Sequence, residues 1–494
     1  MKRELAKIAG AFLLLIALLF VVWGHRKGQE KSEGEKKKEQ SIVSLDLEKV
    51  DRIVISETDG SVTLERRRKD GKGNFTDRFA RFTEEFEIVP EWRIVEPVET
   101  LPDHFAVTTL LANLKDLTAS KTVSETGEHP TEYGLVPAKV KVELFGKGEK
   151  NPLLAVSIGD SNTAANGIYV QTSASPKIHL AGMSLDYLRT RKFSDWRKKE
   201  VIGIKEPTKV KKITVDVVKG KKKERVVVGR DAKGVWEILE PTRSRADGSA
   251  VDIFLNELKS LRATEIASDN AGVDAKKFSL DRPFARIALE IETNQGKETQ
   301  ELIAGGGDEN DPGKGFSLRR LDLPQIFSIA SYMREKLSKN FNSFVAKSPF
   351  TLESAKITSV EVDREGDRTE LWKKGEKWTA AKPAGVEADE AGIGSFLSYL
   401  GNFKAREYLG KSGTVKSTHP VLRVSLAAGD RKESISVFAA EGGEPEVLAQ
   451  PSGIWYRIPT SDLETFHNQG SKLLKVPTPV PATPTPTPSK ARKP

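Results

Sequence analysis

One short pattern, a tryptophan followed five residues later by a proline, occurs three times in this chain. It reads WRIVEP at 92–97, WEILEP at 236–241 and WTAAKP at 378–383. The three copies align without gaps, and an aspartate follows each tryptophan after eleven residues. The repeated positions are Trp92, Pro97, Asp103, Trp236, Pro241, Asp247, Trp378, Pro383 and Asp389. Such ungapped matches indicate a tandem internal repeat, so each copy should form the same local structure.

A helix is predicted in every copy from the spacing of its apolar residues. In the first copy these are Val107, Leu110, Leu111, Leu114 and Leu117, and the other two copies have apolar residues at the same offsets. This spacing places the residues on one face of an amphipathic helix. The aspartate four positions earlier suits the N-cap, where its side chain accepts backbone N–H groups. We therefore interpret the aspartates as caps rather than as catalytic acids, and the tryptophans as core anchors.

Alternating apolar patterns predict strands on both sides of the tryptophan and the helix. A hairpin should precede each tryptophan strand, which the proline closes. After the helix we predict two strands, an aromatic-led strand at Tyr169, Phe316 or Trp455, and a closing helix. The closing helices are predicted near 184–198, 324–340 and 460–474.

The fold class that follows is α+β, with three tandem antiparallel-leaning α+β modules after one N-terminal transmembrane helix. The predicted modules cover residues 42–204, 205–346 and 347–475. An insertion in the first module, around 66–90, is rich in Arg, Asp and Phe.

A membrane anchor is predicted at the N-terminus. Three basic residues in 1–7 precede an uncharged apolar run at 8–24, long enough to span a hydrocarbon core, and no small-residue cleavage site follows. We predict a cytoplasmic n-region at 1–7, a signal-anchor at 8–24, a charged linker at 25–41 and a disordered Pro/Thr tail at 476–494.

The orientation of the anchor has two readings. Residues 26–38 contain more Lys and Arg than residues 1–7, and that count alone favours a cytoplasmic body. Acidic residues are interleaved there, and a short basic n-region is typical of an exported protein. We favour an inner-membrane, single-pass protein whose body lies in the periplasm or otherwise outside the cytoplasmic membrane.

Composition excludes several classes of function. The chain has no cysteine, which rules out disulfides and thiol chemistry, and its 79 basic residues are interleaved with 70 acidic ones. The densest basic runs, at 66–69 and 219–223, are interpreted as solvated turns rather than a nucleic-acid surface. We therefore predict no nucleic-acid partner.

No set of residues in the sequence predicts a reaction. The stretch GGGDENDPGKG at 305–315 looks like a phosphate loop but lacks the spacing of one, so we interpret it as a hairpin loop. The six histidines are scattered and do not recur between copies. We predict no catalytic, cofactor-binding or metal-binding residues and a protein that is not an enzyme.

Further elements surround the repeat in its first copy. Tyr133-Gly134-Leu135 with Pro137 follows the helix, a strand ends at Ile158-Gly159, and an aromatic strand begins near Tyr169. In this order the chain resembles the bacterial family called domain of unknown function 4340, most clearly over 90–200. The second copy has Phe278-Ser279-Leu280 in place of the Tyr-Gly-Leu element, and the third retains only His419-Pro420.

The resemblance implies a single-anchor envelope protein of a family whose genes often lie beside gliding-motility-type ABC transporter genes. It implies no catalytic residues. We therefore expect an accessory or scaffold component of an ABC-type transport complex, with the insertion and the tail as contact elements. The alternative is a module that binds glycan or another envelope polymer through Trp455 and Tyr456. Any small-molecule ligand is left open.

Overall fold

A computed structural model describes residues 40–475 except 59, 81–89, 271, 273–274, 295, 307–312, 314, 416 and 441. The predicted n-region, the signal-anchor, nearly all of the linker and the Pro/Thr tail lie outside the described residues. Within the described part of the chain, no helix combines the length and the apolar character that a membrane crossing requires. Two compact units are present. One contains the residues up to Lys209 with Asn256–Pro283 and Thr293–Arg334, and the other contains Val210–Leu255, Phe284–Glu292 and the residues from Glu335.

The first of three antiparallel sheets has eight strands in the order β3-β2-β1-β5-β6-β7-β8-β4. Its strands are β1 (Arg52–Glu57), β2 (Gly60–Arg66), β3 (Trp92–Glu96), β4 (Ala119–Ser124), β5 (Val140–Phe145), β6 (Leu154–Asn162), β7 (Gly167–Thr172) and β8 (Ser175–Gly182). Helix α1 (His104–Lys115) lies between β3 and β4 in the chain. After β8 come a 3-10 helix (Met183–Arg189) and the short helix α2 (Phe193–Trp196).

The second sheet has nine strands in the order β12-β11-β10-β9-β14-β15-β16-β17-β13. Its strands are β9 (Val210–Lys219), β10 (Lys222–Arg230), β11 (Trp236–Glu240), β12 (Ser244–Arg245), β13 (Glu265–Ser268), β14 (Ala285–Thr293), β15 (Gly296–Gly305), β16 (Phe316–Arg320) and β17 (Ile326–Ile329). The helices are α3 (Gly248–Lys259), α4 (Met333–Leu337) and α5 (Phe341–Phe344). Apart from the added edge strand β12, the order of strands is that of the first sheet.

The third sheet repeats the order of the first, as β20-β19-β18-β22-β23-β24-β25-β21. Its strands are β18 (Ser359–Arg364), β19 (Asp367–Lys374), β20 (Lys377–Lys382), β21 (Glu407–Gly410), β22 (Leu422–Ala428), β23 (Arg431–Phe438), β24 (Glu446–Gln450) and β25 (Ile454–Arg457). The helices are α6 (Glu390–Asn402) and α7 (Thr460–Gly470). Mostly antiparallel sheets are thus confirmed as the dominant architecture.

The long helix in each sheet carries the chain from the tryptophan strand at one edge to a short strand at the opposite edge. In α1 the predicted face is buried at Val107, Leu110 and Leu114, and Leu117 is buried just beyond the helix. The equivalent residues of α3 and α6 are buried as well. Each fully buried side chain of this size contributes about 1.5–3 kcal/mol through removal of apolar surface from water. The face that the spacing predicts therefore attaches each helix to its sheet.

Several strands were not predicted from the sequence. The edge strands β4, β13 and β21 follow the long helices, and β8 and β17 follow the aromatic strands. The helix predicted at 324–340 is wrong in its first part, because Ile326–Ile329 forms β17. In the third sheet the unpredicted strand β24 lies between β23 and β25, the strand that contains Trp455.

A close crossing of chain segments explains the Tyr-Gly-Leu element. Tyr133 and Gly134 cross directly over β6, and a Cβ atom at Gly159 would lie less than 3.0 Å from the carbonyl oxygen of Tyr133. In the second sheet, Ser279 crosses over Gly305 in the same way.

Among the described residues of the third sheet, which leave out 416 and 441, no loop crosses the strand in this way, and Phe438 stands at the position of the glycine. Its ring packs on that of Trp455, with the centroids 5.3 Å apart. Glycine is therefore required only where another backbone passes over the strand.

We predict that Gly159→Ala lowers the free energy of unfolding by about 1–3 kcal/mol, because the added methyl group must displace the crossing backbone. The matched control is Gly182→Ala in β8, where an added Cβ meets nothing within 4 Å. Urea unfolding of the full chain in mild detergent, followed by tryptophan fluorescence, measures both variants. Equal stability of the two variants would contradict the crossing.

Candidate functional site

The repeated tryptophans lie in the cores of their sheets. Trp92 and Trp236 are 5% and 3% exposed. The guanidinium groups of Arg66 and Arg230 cover their rings at 4.8 and 4.1 Å from the centroids. Trp378 is half-buried and packs against the core of the third sheet. These rings fill space and hold a cation on their outer face, so they offer no open platform to a ligand.

The repeated prolines share a backbone feature that the sequence did not reveal. Pro97, Pro241 and Pro383 each follow a cis peptide bond at the end of the tryptophan strand.

The repeated aspartates cap the long helices with one carboxylate oxygen. Oδ1 of Asp103 accepts the N–H of Ala106 at 3.1 Å. Oδ1 of Asp247 accepts the N–H of Ala250 at 3.3 Å. Oδ1 of Asp389 accepts two N–H groups of the first turn of α6 at 3.0 Å. Because Oδ1 is held by the helix in every copy, Oδ2 is left for another partner.

In the first two copies that partner is a cation contributed by the next copy. Oδ2 of Asp103 binds Nη2 of Arg262 at 2.9 Å, and Oδ2 of Asp247 binds Nζ of Lys404 at 2.7 Å. Arg262 and Lys404 occupy the same position in the repeat, twenty-six residues after their tryptophans. The first copy has Thr118 there. The sequence signal for this contact is therefore a basic residue at one offset in two of the three copies, and it was not predicted to pair with the aspartate.

Backbone hydrogen bonds surround each capping aspartate in the same arrangement. The N–H groups of Asp103, Asp247 and Asp389 donate to the carbonyls of Trp196, Phe344 and Leu473 at 2.7–2.9 Å. These carbonyls belong to the segment that starts at or just after the end of the closing helix, which we call the return segment (196–199, 344–347 and 473–475).

The return segment also accepts a backbone hydrogen bond from the following copy. The N–H of Ala263 donates to the carbonyl of Lys199, and the N–H of Ala405 donates to that of Lys347, both at 2.8 Å. We call the capping aspartate, its return segment and the incoming basic residue an aspartate junction. The first junction lies within one compact unit and the second within the other.

The environment of Asp247 lowers its pKa. Burial alone would raise the pKa of this carboxyl, but the hydrogen bond from Lys404 and the N–H of Ala250 outweigh burial and hold the pKa below its ordinary value. A carboxyl with a depressed folded-state pKa adds stability above its unfolded pKa, and that stability is lost as the pH falls through the folded pKa. The second junction should therefore be strongest at neutral pH and weaken in acid.

We predict that Lys404→Met destabilises the chain by up to about 1 kcal/mol at pH 7, because the lysine is 57% exposed and its pair is screened by solvent. The difference from the wild type should begin to shrink as the pH falls below about 4, the ordinary value for an aspartate, and should vanish only below the depressed pKa of Asp247. Urea unfolding between pH 3 and pH 7 measures it. Lys432→Met is the control, since Lys432 is exposed and has no ion pair among the described residues. A pH-independent difference would contradict the pairing.

The interpretation of the basic run at 66–69 as a solvated turn is wrong for Arg67, which is buried. The side chain of Arg67 is 1% exposed, and its Nε and Nη2 bind the two oxygens of Asp77 at 2.6 and 2.9 Å. Its Nη1 donates to the carbonyl of Pro90 at 2.8 Å, and its guanidinium covers the ring of Phe75. The described part of the insertion is thus organised around one buried ion pair.

We predict that Arg67→Ala lowers the free energy of unfolding by about 3–5 kcal/mol, because Asp77 would be left without its buried partner. Arg68→Ala, one residue further at an exposed position, should change it by no more than about 0.5 kcal/mol. Chemical unfolding of the two variants side by side provides the measurement. A small effect at Arg67 would show that the insertion does not depend on this pair.

An apolar cavity of about 360 Å³ lies beside the insertion, lined in part by Phe79, Leu101 and Phe327. Three cations line its wall, and each is paired with a carboxylate: Lys198 with Glu200 at 3.2 Å, Arg320 with Asp322 at 2.7 Å and Arg78 with Glu99 at 3.3 Å. A small-molecule site usually adds a few polar groups that converge on the ligand. The charges on this wall are already paired within the protein, so none of these three cations is aimed at a ligand by the contacts described.

The other candidate residues do not come together. In the region 305–315, residues 307–312 and 314 lie outside the described residues, while the flanking strands β15 and β16 pair as an antiparallel hairpin. Within the described ranges, no three His, Asp or Glu side chains are grouped so that they could hold a metal ion. Tyr456 is 5% exposed in the core of the third sheet. Trp455 is half-buried against Phe438 and Gly413.

Comparison with known proteins identifies one family. A sequence model described as Domain of unknown function (DUF4340) matches residues 92–270 and again residues 236–423. The two matches begin at the first and second repeated tryptophans, and together they span more than half of the 494 residues. No curated protein matches the chain, and no solved structure does.

Proposed function

The chain belongs to the DUF4340 family, and from that premise we propose that it is a non-enzymatic, membrane-anchored envelope protein that serves as an accessory or scaffold component of an ABC-type transport complex. Its three sheets would be three tandem modules at 42–204, 205–346 and 347–475. The anchor would be residues 8–24, with the body outside the cytoplasmic membrane.

The observation that carries the proposal is the use of the repeated charges. Asp103 and Asp247, the acidic residues that recur at one position, cap helices and bind cations of the next copy. These repeated residues link successive copies instead of forming a reactive site. Such a role favours a protein that binds other proteins through its surface, since each added copy extends the area available to a partner. The anchor would raise the local concentration of that surface at the membrane.

The polymer-binding alternative has less support. It depended on Trp455 and Tyr456 being available to stack on sugar rings. Tyr456 lies in the core, where burial raises the pKa of its hydroxyl to about 12. The ring of Trp455 packs on Phe438. We therefore place the protein-contact role first.

The test is co-purification from membranes solubilised in mild detergent, with the full chain tagged and its partners identified by mass spectrometry. We expect subunits of an ABC-type transporter to be enriched over a control bait that carries residues 1–41 on an unrelated soluble domain. Protease added to intact spheroplasts should degrade the body while a cytoplasmic marker survives. Recovery of no transporter subunit would overturn the transport role, and a protected body would overturn the orientation.

A further inference from the structure

The first two aspartate junctions define what such a junction binds. Arg262 and Lys404 each follow the carboxyl end of a long helix, α3 or α6, by two or three residues. The next residue, Ala263 or Ala405, donates its N–H to the return segment at 2.8 Å. The bound partner is therefore a basic side chain and a backbone N–H presented together just beyond an amphipathic helix.

The described residues of the third copy place the capping aspartate and the return segment as far as Lys475 in the same arrangement. Oδ1 of Asp389 caps α6, and its N–H donates to the carbonyl of Leu473 at 2.9 Å. The N–H of Lys475 donates to the carbonyl of Glu387 at 2.9 Å, as Ala346 does to Arg245 in the second copy. The position that corresponds to Lys199 and Lys347 is Val476, which lies outside the described residues.

The third copy differs from the other two at Oδ2 of its capping aspartate, Asp389. Among residues 40–475, as far as they are described, no cation forms an ion pair with Asp389. The ammonium group of the neighbouring Lys475 binds Glu387 at 2.7 Å. The pKa of Lys475 is raised by Glu387 first and by Asp389 and Glu390 as well, so three carboxylates at this end of the third sheet face one ammonium group.

We propose that this half-junction binds a domain of the same kind on a different polypeptide, through an Arg or Lys directly after the carboxyl end of that domain's long helix. The basis for this assignment is that the equivalent aspartates, Asp103 and Asp247, each bind such a basic residue within this chain. The inference rests on the proposed function only in that both require a protein partner.

Two other occupants fit less well. A second copy of this chain would present its first module, which has Thr118 where Arg262 and Lys404 stand, and so would bring no cation. The tail at 476–494 has basic residues near its end, but its alternating Pro and Thr lack the apolar spacing of a helix. A different polypeptide with a basic residue at this position meets both requirements.

The experiment places a photo-cross-linking amino acid at the exposed position Ala391 of the full chain in its native membranes. The cross-linked peptide is identified by mass spectrometry. We expect a different polypeptide, cross-linked next to an Arg or Lys that follows an amphipathic helix. Asp389→Asn keeps the helix cap, because asparagine caps as well as aspartate, but it removes the charge. It should lower the cross-linking yield by roughly fivefold.

Two controls isolate the charge. Asp430→Asn, at an exposed turn of the same sheet, should leave the yield unchanged. Changing the partner's basic residue to Glu should abolish the cross-link, whereas exchanging Arg for Lys there should retain it. Retention of the full yield in Asp389→Asn would overturn the proposal. So would cross-links confined to residues 476–494 or to a second copy of this chain.

The outcome is separable from that of the proposed function. A partner that passes the Asp389 test without being a transporter subunit would support this inference and count against the transport role. Transporter subunits that co-purify equally with Asp389→Asn, with no cross-link from position 391, would support the transport role and overturn this inference.

Discussion

The link between successive copies depends on an aspartate whose two carboxylate oxygens bind different partners, a helix N-terminus and a cation of the next copy. In Asp103 and Asp247, Oδ1 is held by the first turn of a helix, which fixes the rotation of the group and directs Oδ2 toward the next copy. The partial positive charge at a helix N-terminus favours the ionised form, so the cap also prepares the aspartate for its cation. Helix start and junction are therefore parts of one electrostatic unit. A change that unwinds the first turn would also misplace the oxygen that binds the following copy.

Elements with a clear apolar periodicity were predicted correctly from the sequence, and short strands without such a periodicity were not. The apolar face of each long helix lies where its spacing places it, because burial of every third or fourth residue determines that face. The strand β17, with the sequence IFSI, was assigned to a helix, since four apolar-rich residues do not separate a period of two from one of 3.6. The edge strand β4, ASKTVS, has no buried residue to mark it.

The contacts that suggest a function are long-range, which is why the sequence alone did not reveal them. Asp103 and Arg262 are 159 residues apart, and Asp247 and Lys404 are 157 apart. The shared offset of Arg262 and Lys404 from their tryptophans, and the nearly equal separations that follow from it, link both pairs to the repeat. Arg67 was misjudged for a related reason, because a run of four basic residues is normally solvated unless a carboxylate and an aromatic ring enclose one of them.

The difference between Gly159 or Gly305 and Phe438 also shows what this position of the repeat has to accommodate. A bulky side chain at this position cannot coexist with a loop that crosses the strand, and a bare glycine without the loop would leave the space beside Trp455 unfilled. The crossing loop and the aromatic ring are thus alternative ways of covering this position of the strand. A glycine at this position is therefore compatible with a backbone passing over the strand, and a bulky side chain there is not.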